Sequence, residues 1–147
     1  LTIKNLGRIR HRAAAITVTG LGVAATVLFS SGAAQAATLT EQAWTSTNKC
    51  LANLYNINGN YIGETNSNYY AQAGVYQSTR DSGYGCEGWL QRSTDGGATW
   101  STISGKTFTT GPGDQEFTGW YYDGPGYKAR ACAWDADTGI TACTKAF

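Results

Sequence analysis

The residues able to do chemistry in this chain are carboxylates and aromatic rings. The single histidine, His11, precedes a long apolar run near the N-terminus, and there is no methionine. Without imidazole beyond that run, Ser-His-Asp and Cys-His catalysis and a histidine-ligated zinc or copper site are excluded there. Carboxylate chemistry remains, as in glycosidases, which need two carboxyls at a set separation across a cleft. Asp81, Glu87, Asp95, Asp114, Glu116, Asp135 and Asp137 all fall in or beside expected turns. Asp there accepts bonds from backbone N–H groups, and no spacing among these residues fixes a catalytic pair. The reading is a non-enzymatic protein that needs no cofactor and no metal.

The aromatic side chains point to recognition. Beyond residue 36 the chain holds five Trp, nine Tyr, and Phe108, Phe117 and Phe147. A small domain cannot bury them all. Trp89, Trp100, Trp120 and Trp134 are expected to fill the core, with Tyr hydroxyls at its rim. Tyr69, Tyr70, Tyr84, Tyr121 and Tyr122 lie beside loops or in paired runs where one member must face out. Exposed Tyr gives large contact area at low entropy cost, which suits a protein interface. The same rings could stack on sugars, so a carbohydrate-binding module is the alternative reading.

The elements that must position these residues begin after a targeting segment. Lys4, Arg8, Arg10, His11 and Arg12 precede an apolar run, Ala13 to Phe29, and Ala34-Gln35-Ala36 supplies a small-residue cleavage site. Residues 1–36 therefore read as a secretory signal peptide, which predicts a secreted, extracellular protein with no membrane anchor after cleavage. Four of the eleven Lys and Arg precede residue 37 and all ten Asp and Glu follow it, so 37–147 carries seven against ten, a net charge of −3. That balance argues against a nucleic-acid partner.

Four cysteines, Cys50, Cys86, Cys132 and Cys143, suit an exported disulfide framework, and four permit three pairings. The turn-like stretch Asp135-Ala136-Asp137-Thr138-Gly139 favours Cys132 with Cys143, leaving Cys50 with Cys86.

From residue 37 the chain reads as a polar arm, 37–49, followed by one β domain, 50–147. Trp44 is the arm's only aromatic residue. The arm is expected either to be frayed or an edge strand, or else to dock on a partner through Trp44 and Thr45 by strand addition or cleft insertion. Asn58-Gly59 reads as a type I′ turn, with Asn60 to Gly63 as the return strand. In Tyr69 to Ser78, Ala71, Ala73, Val75 and Gln77 share one face, and Tyr70, Gln72, Gly74 and Tyr76 the other. Gly88 to Arg92 and Ala98 to Ser104 flank a turn at Asp95-Gly96-Gly97. Lys106 to Thr110, Gln115 to Tyr122 and Ile140 to Lys145 read as further strands, and in Tyr127 to Trp134 the residues Tyr127, Ala129, Ala131 and Ala133 alternate with Lys128, Arg130, Cys132 and Trp134. About eight short strands with regular turn signals predict an all-β, disulfide-bonded sandwich, immunoglobulin-like or Greek-key.

Three resemblances add to this reading. Ser93, Asp95, Gly97, Thr99 and Trp100 fit the Ser-x-Asp-x-Gly-x-Thr-Trp pattern, so the octet resembles the Asp-box hairpin of sialidase propellers and other β folds. The resemblance implies a well-fixed turn with no catalytic role. Asp123-Gly124 followed by Tyr127 resembles the immunoglobulin strand-F pattern, with Ala129 where that pattern has Cys and Cys132 three residues later. In plan and size the chain resembles the small secreted β proteins of filamentous actinobacteria, a group that includes enzyme inhibitors and the adaptor subunit of umbrella toxin particles. That adaptor joins a lectin-bearing, trypsin-like subunit to a toxin stalk, with its N-terminal segment in the partner's cleft. The resemblance implies a secreted protein partner, protease-like or part of a toxin complex, an adaptor or inhibitor role, and attention to the arm from Thr38 to Lys49.

Overall fold

Alternation in four strands puts mostly small apolar residues on one side and most of the large aromatic ones on the other, and this decides the architecture. The structure, a computed structural model, describes residues 37–64, 67–80, 83 and 85–147. The expected signal peptide and Tyr84 lie outside the described residues. Among the described residues there are ten strands: β1 (Thr38–Trp44), β2 (Cys50–Asn58), β3 (Tyr69–Gln77), β4 (Cys86–Ser93), β5 (Ser101–Thr102), β6 (Thr107–Phe108), β7 (Gln115–Phe117), β8 (Tyr121–Tyr122), β9 (Lys128–Asp135) and β10 (Thr141–Cys143). They form two antiparallel sheets. The first runs β1-β2-β3-β7, with β8 also on β3; the second runs β10-β9-β4-β5, with β6 also on β4. Since β5 and β6 share one lane and β7 and β8 another, the sandwich has four lanes per sheet. The chain crosses between sheets after β3, β6 and β8, which makes β7 a neighbour of β3 and β9 a neighbour of β4, as in a Greek-key sandwich. Among the described residues no helix is long and apolar enough to cross a membrane.

The interior is built from small side chains. Cys50, Ala52 and Leu54 of β2, Ala71, Ala73 and Val75 of β3, Cys86 and Leu90 of β4, and Ala129, Ala131 and Ala133 of β9 are all buried and form one cluster. Gly88 of β4 lies directly against β3, and a Cβ there would sit 2.6 Å from the Cβ of Val75. The Cys50–Cys86 disulfide joins the two layers from β2 to β4. Cys132–Cys143 joins facing residues of β9 and β10. The pairing favoured by the turn between Cys132 and Cys143 is therefore the one present.

Three expectations need correction. Trp89, Trp100, Trp120 and Trp134 are only partly buried and lie outside the core cluster. Gly88, Leu90, Ala131 and Ala133 turn inward, so their neighbours Trp89 and Trp134 must turn outward. No strand runs over 60–63. Asn58 stays extended (φ −75°, ψ 136°) and caps a 3-10 turn at Gly59–Tyr61, so the hairpin closes instead at Asn58 opposite Tyr69. A type I′ turn needs positive φ at Asn58, and continued pairing with β3 holds it elsewhere. The run 115–122 is broken because the Thr118 hydroxyl takes the Ala73 N–H (3.1 Å) and donates to Gly119 O (3.0 Å). Residues 38–44 are the edge strand β1, paired with β2 from Thr38 opposite Asn56 to Trp44 opposite Leu51, with a bulge between Leu39 and Glu41.

Gly88→Ala is expected to lower stability by about 1–3 kcal/mol, because the added methyl meets Val75 in a packed layer. Gly105→Ala, where a Cβ meets nothing within 4 Å, should stay within about 0.5 kcal/mol of the parent. Urea denaturation of both variants checks the contrast.

Candidate functional site

The carboxylates are largely engaged in holding turns. After β4 the Ser93 hydroxyl accepts the N–H of Gly97 (2.8 Å) and of Asp95 (3.3 Å) and donates to Asp95 Oδ1 (2.6 Å). Asp95 in turn accepts the Thr99 N–H (2.9 Å) and hydroxyl (2.6 Å). The hydrogen bonds from Ser93 and Thr99 hold its carboxyl well below the ordinary range. Gly96 and Gly97 take the positive φ values, 75° and 105°, that the turn requires. Trp100 Nε1 donates to Gly97 O (3.0 Å), and the Arg130 guanidinium lies 4.2 Å from the centroid of the Trp100 ring. These bonds fix Asp95 and Thr99 in the turn and delay β5 to Ser101. Asp114 does similar work in the next turn, where it accepts the Thr110 N–H (2.7 Å) and hydroxyl (3.0 Å).

A buried polar lock closes one end of the sandwich. Lys49, 2% exposed, pairs with Asp137 and lies 3.4 Å from Asp135. Thr47 donates to Asp135 Oδ2 (2.9 Å), and Thr45 shares a hydroxyl bond with Thr47 (2.9 Å) while accepting the Cys50 N–H (3.2 Å). Burial alone would raise the Asp135 carboxyl. The hydrogen bonds of Thr138, Thr47 and the Asp137 N–H, with the Lys49 ammonium, outweigh burial and lower it. Thr45 is therefore a buried structural residue and not a surface contact. Residues 45–49 belong to the folded domain, so the segment is no detachable arm.

Asp123 stands apart. It is buried at the opposite end of the sandwich, and among the described residues its Oδ1 has no hydrogen-bond partner. Burial pushes its carboxyl up to about 6, despite the opposing charge of Arg92. Arg92 is held by a bond to Tyr122 O (3.2 Å) and by the Tyr127 ring 4.5 Å away.

The remaining candidate is a surface. With Ala52, Leu54, Ala71, Ala73 and Val75 turned inward, the alternate residues of the first sheet face out. Register places Trp44, Leu51, Tyr76 and Gln115 in one row, and Gln42, Asn53, Gly74 and Phe117 in the next. Tyr55 and Gln72 follow, then Ile57, Tyr70 and Tyr122. No residue in these rows carries a charge. Trp44 and Phe117 are 44% and 42% exposed. Trp44 packs on Tyr76 with ring centroids 6.2 Å apart, and Tyr55 on Phe117 at 5.6 Å. Gly74 lies beneath the second pair, since a Cβ there would meet Tyr55 at 3.0 Å and Phe117 at 3.1 Å. Gln42 donates to Asn53 (2.8 Å) and Gln115 to the Tyr55 hydroxyl (3.1 Å), so amides stitch the rows together. The outer face of the second sheet differs. Beside Trp89 and Trp134 it carries Arg130 bonded to Gln91 (2.8 Å) and Lys106 paired with Glu87.

Of the contact residues expected from sequence, Trp44, Tyr70 and Tyr122 lie on the uncharged face. Tyr69 is exposed at the edge of the β2–β3 hairpin, and Tyr121 packs partly buried against the core. Tyr55, Tyr76 and Phe117 were not expected there; the alternation of Tyr76 with Val75 was the signal that could have found it. Among the described residues no group of three or more His, Cys, Asp or Glu could hold a metal ion. Comparison with protein-family models, curated proteins and solved structures finds no match to this chain.

Asp123 and Asp135 should impose opposite pH dependences. The folded-state value of Asp123 is raised, so its contribution is intact below 3.8 and is lost as pH rises through about 6. The stability of Asp123→Asn relative to the parent should therefore increase across that interval and level off above it. Asp135 is lowered, so its contribution is present above 3.8 and lost as pH falls below that. The deficit of Asp135→Asn should accordingly shrink in acid. Urea denaturation between pH 3 and pH 8 reads both slopes.

Proposed function

We propose that this protein is a secreted, non-enzymatic protein-binding module that acts as an adaptor or inhibitor-type subunit and docks through the outer face of its first sheet. The single observation that carries the reading is the absence of charge across that face. Interface centres are depleted in charged residues and enriched in Tyr, Trp and Phe, and Trp44, Tyr55, Tyr70, Tyr76 and Phe117 supply such a centre. Exposed aromatic area of this kind on a small protein marks an interaction site. The two disulfides fit an oxidising compartment, and the signal-like N-terminal segment supports export. The partner is then another secreted protein, of the protease-like or toxin-complex kind.

Carbohydrate binding is less well supported. Sugar stacking favours several exposed rings in one plane. The ring pairs described on and beside this face, Trp44–Tyr76, Tyr55–Phe117, Tyr70–Tyr122 and Tyr122–Tyr127, meet at 61° to 84°. On the second sheet, Trp100 and Trp89 are faced by Arg130 and Lys106.

The test is capture of partners from the culture supernatant of the producing organism, quantified with the parent and three variants. Tyr76→Lys and Phe117→Lys place a charge in the face and should each weaken a stoichiometric protein complex by about 2 kcal/mol or more. Phe108→Lys, at a residue 57% exposed on the other sheet, should leave it unchanged. Retention of the partner by both face variants would remove this face as the interface.

A further inference from the structure

Beside Trp44 the uncharged face ends at a cavity of about 460 Å³ lined by Trp44, Thr47, Asn48, Lys49, Ser78 and Arg80. Its size falls in the range of ordinary ligand sites, roughly 300–1,000 Å³. Its floor is the β1–β2 turn. Asn48 is held there at φ 55° with its N–H on Thr45 O (2.8 Å), a conformation that Asn tolerates better than most residues. The wall is the segment after β3, where the Ser78 hydroxyl accepts the Arg80 N–H (3.3 Å) and Ser78 N donates to Lys49 O (2.8 Å).

The two basic residues that line the cavity are not equivalent. The Lys49 ammonium is taken up by Asp135 and Asp137, and Asp135 is further bonded by Thr47 and by the Asp137 N–H (3.0 Å). Arg80 is exposed and has no ion pair among the described residues. An uncommitted guanidinium binds a carboxylate through two parallel N–H···O bonds. An indole beside it offers apolar area for the body of the same ligand.

From this juxtaposition we infer that the cavity is an anchor site for a carboxylate-bearing peptide residue, with the carboxylate on Arg80 and the aliphatic or aromatic portion against Trp44. The inference deepens the protein-binding reading and rests on it for the identity of the occupant. Trp and Arg in a pocket continuous with an aromatic face are the residue types on which interfaces concentrate their energy. The carboxylate can be a side chain or a chain terminus, and the two are separated by the choice of probe.

The experiment is a two-dimensional amide NMR titration of the secreted chain with four probes. Acetyl-Gly-Glu-Gly-amide and its Gln analogue read side-chain carboxylates; Gly-Gly-Phe and its C-terminal amide read terminal ones. At least one carboxylate probe should shift the Asn48, Lys49 and Arg80 amides and the Trp44 indole N–H saturably, with a dissociation constant on the order of 1 mM. Its neutral analogue, and the same probe on Arg80→Gln, should bind at least about fivefold more weakly. Arg80→Lys should recover only part of the affinity, since it lacks the planar fork. Equal shifts with neutral probes, shifts indifferent to Arg80→Gln, or no saturable shift with either carboxylate probe at about ten times that concentration would overturn the inference. Because the probes act on the isolated protein, these outcomes are independent of whether Tyr76→Lys and Phe117→Lys release a partner.

Discussion

The close approach of β3 and β4 is the constraint on which the rest of the structure depends. Gly88 admits Val75 where any Cβ would collide, and alanines of β3 and β9 line the remaining interlayer space. A gap this narrow has no room for an indole or a phenol. Each aromatic residue on these strands must therefore take an outward or end position. The Cys50–Cys86 bridge spans the same narrow region. Small side chains bury little apolar area each, so a covalent tie between the layers has correspondingly more to contribute, roughly 2–4 kcal/mol for a typical bridge.

The polar lock around Lys49 follows from the same geometry. Close layers bring the β1–β2 turn near the β9–β10 turn, and residues separated by 88 positions come into contact. A buried ammonium is tolerable there because Asp135 and Asp137 accept it and Thr47 and the Asp137 N–H satisfy the remaining oxygens. Asp123 shows the opposite case at the other end: its Oδ1 lacks a partner among the described residues, and burial raises the carboxyl.

The sandwich class, the inner faces of β3 and β9 and both disulfides were legible in the sequence, because strict period-two alternation of Ala and Val admits only one inward set. Cys132 and Cys143 could be matched because a turn lies between them. The positions of Trp89 and Trp134 were misread when residue size was allowed to outweigh the parity of Gly88 and Ala133. Asn58-Gly59 misled because a local turn signal competed with nine residues of β2 pairing to β3. Single members of the uncharged face were legible, but the face as a whole could not be assembled without register. Trp44, Tyr55, Tyr76 and Phe117 are scattered along the chain and become neighbours only when β1, β2, β3 and β7 are set side by side. Burial of Thr45 and Lys49 was equally hidden, since their partners are remote in sequence.

The division between a small-residue interior and large-residue exteriors has a further consequence. Interior and exterior positions alternate along the same strands, yet they answer to different demands. Ala71, Ala73 and Val75 line the interior, while Tyr70, Gln72 and Tyr76 alternate with them on the outer face. Replacing one outer side chain by another alters the texture and chemistry of the face without changing the distance between the sheets. The scaffold is thus modular at the level of single residues: the recognition properties of the first sheet can drift or be redesigned over a frame whose dimensions are held by glycine, alanine and a disulfide.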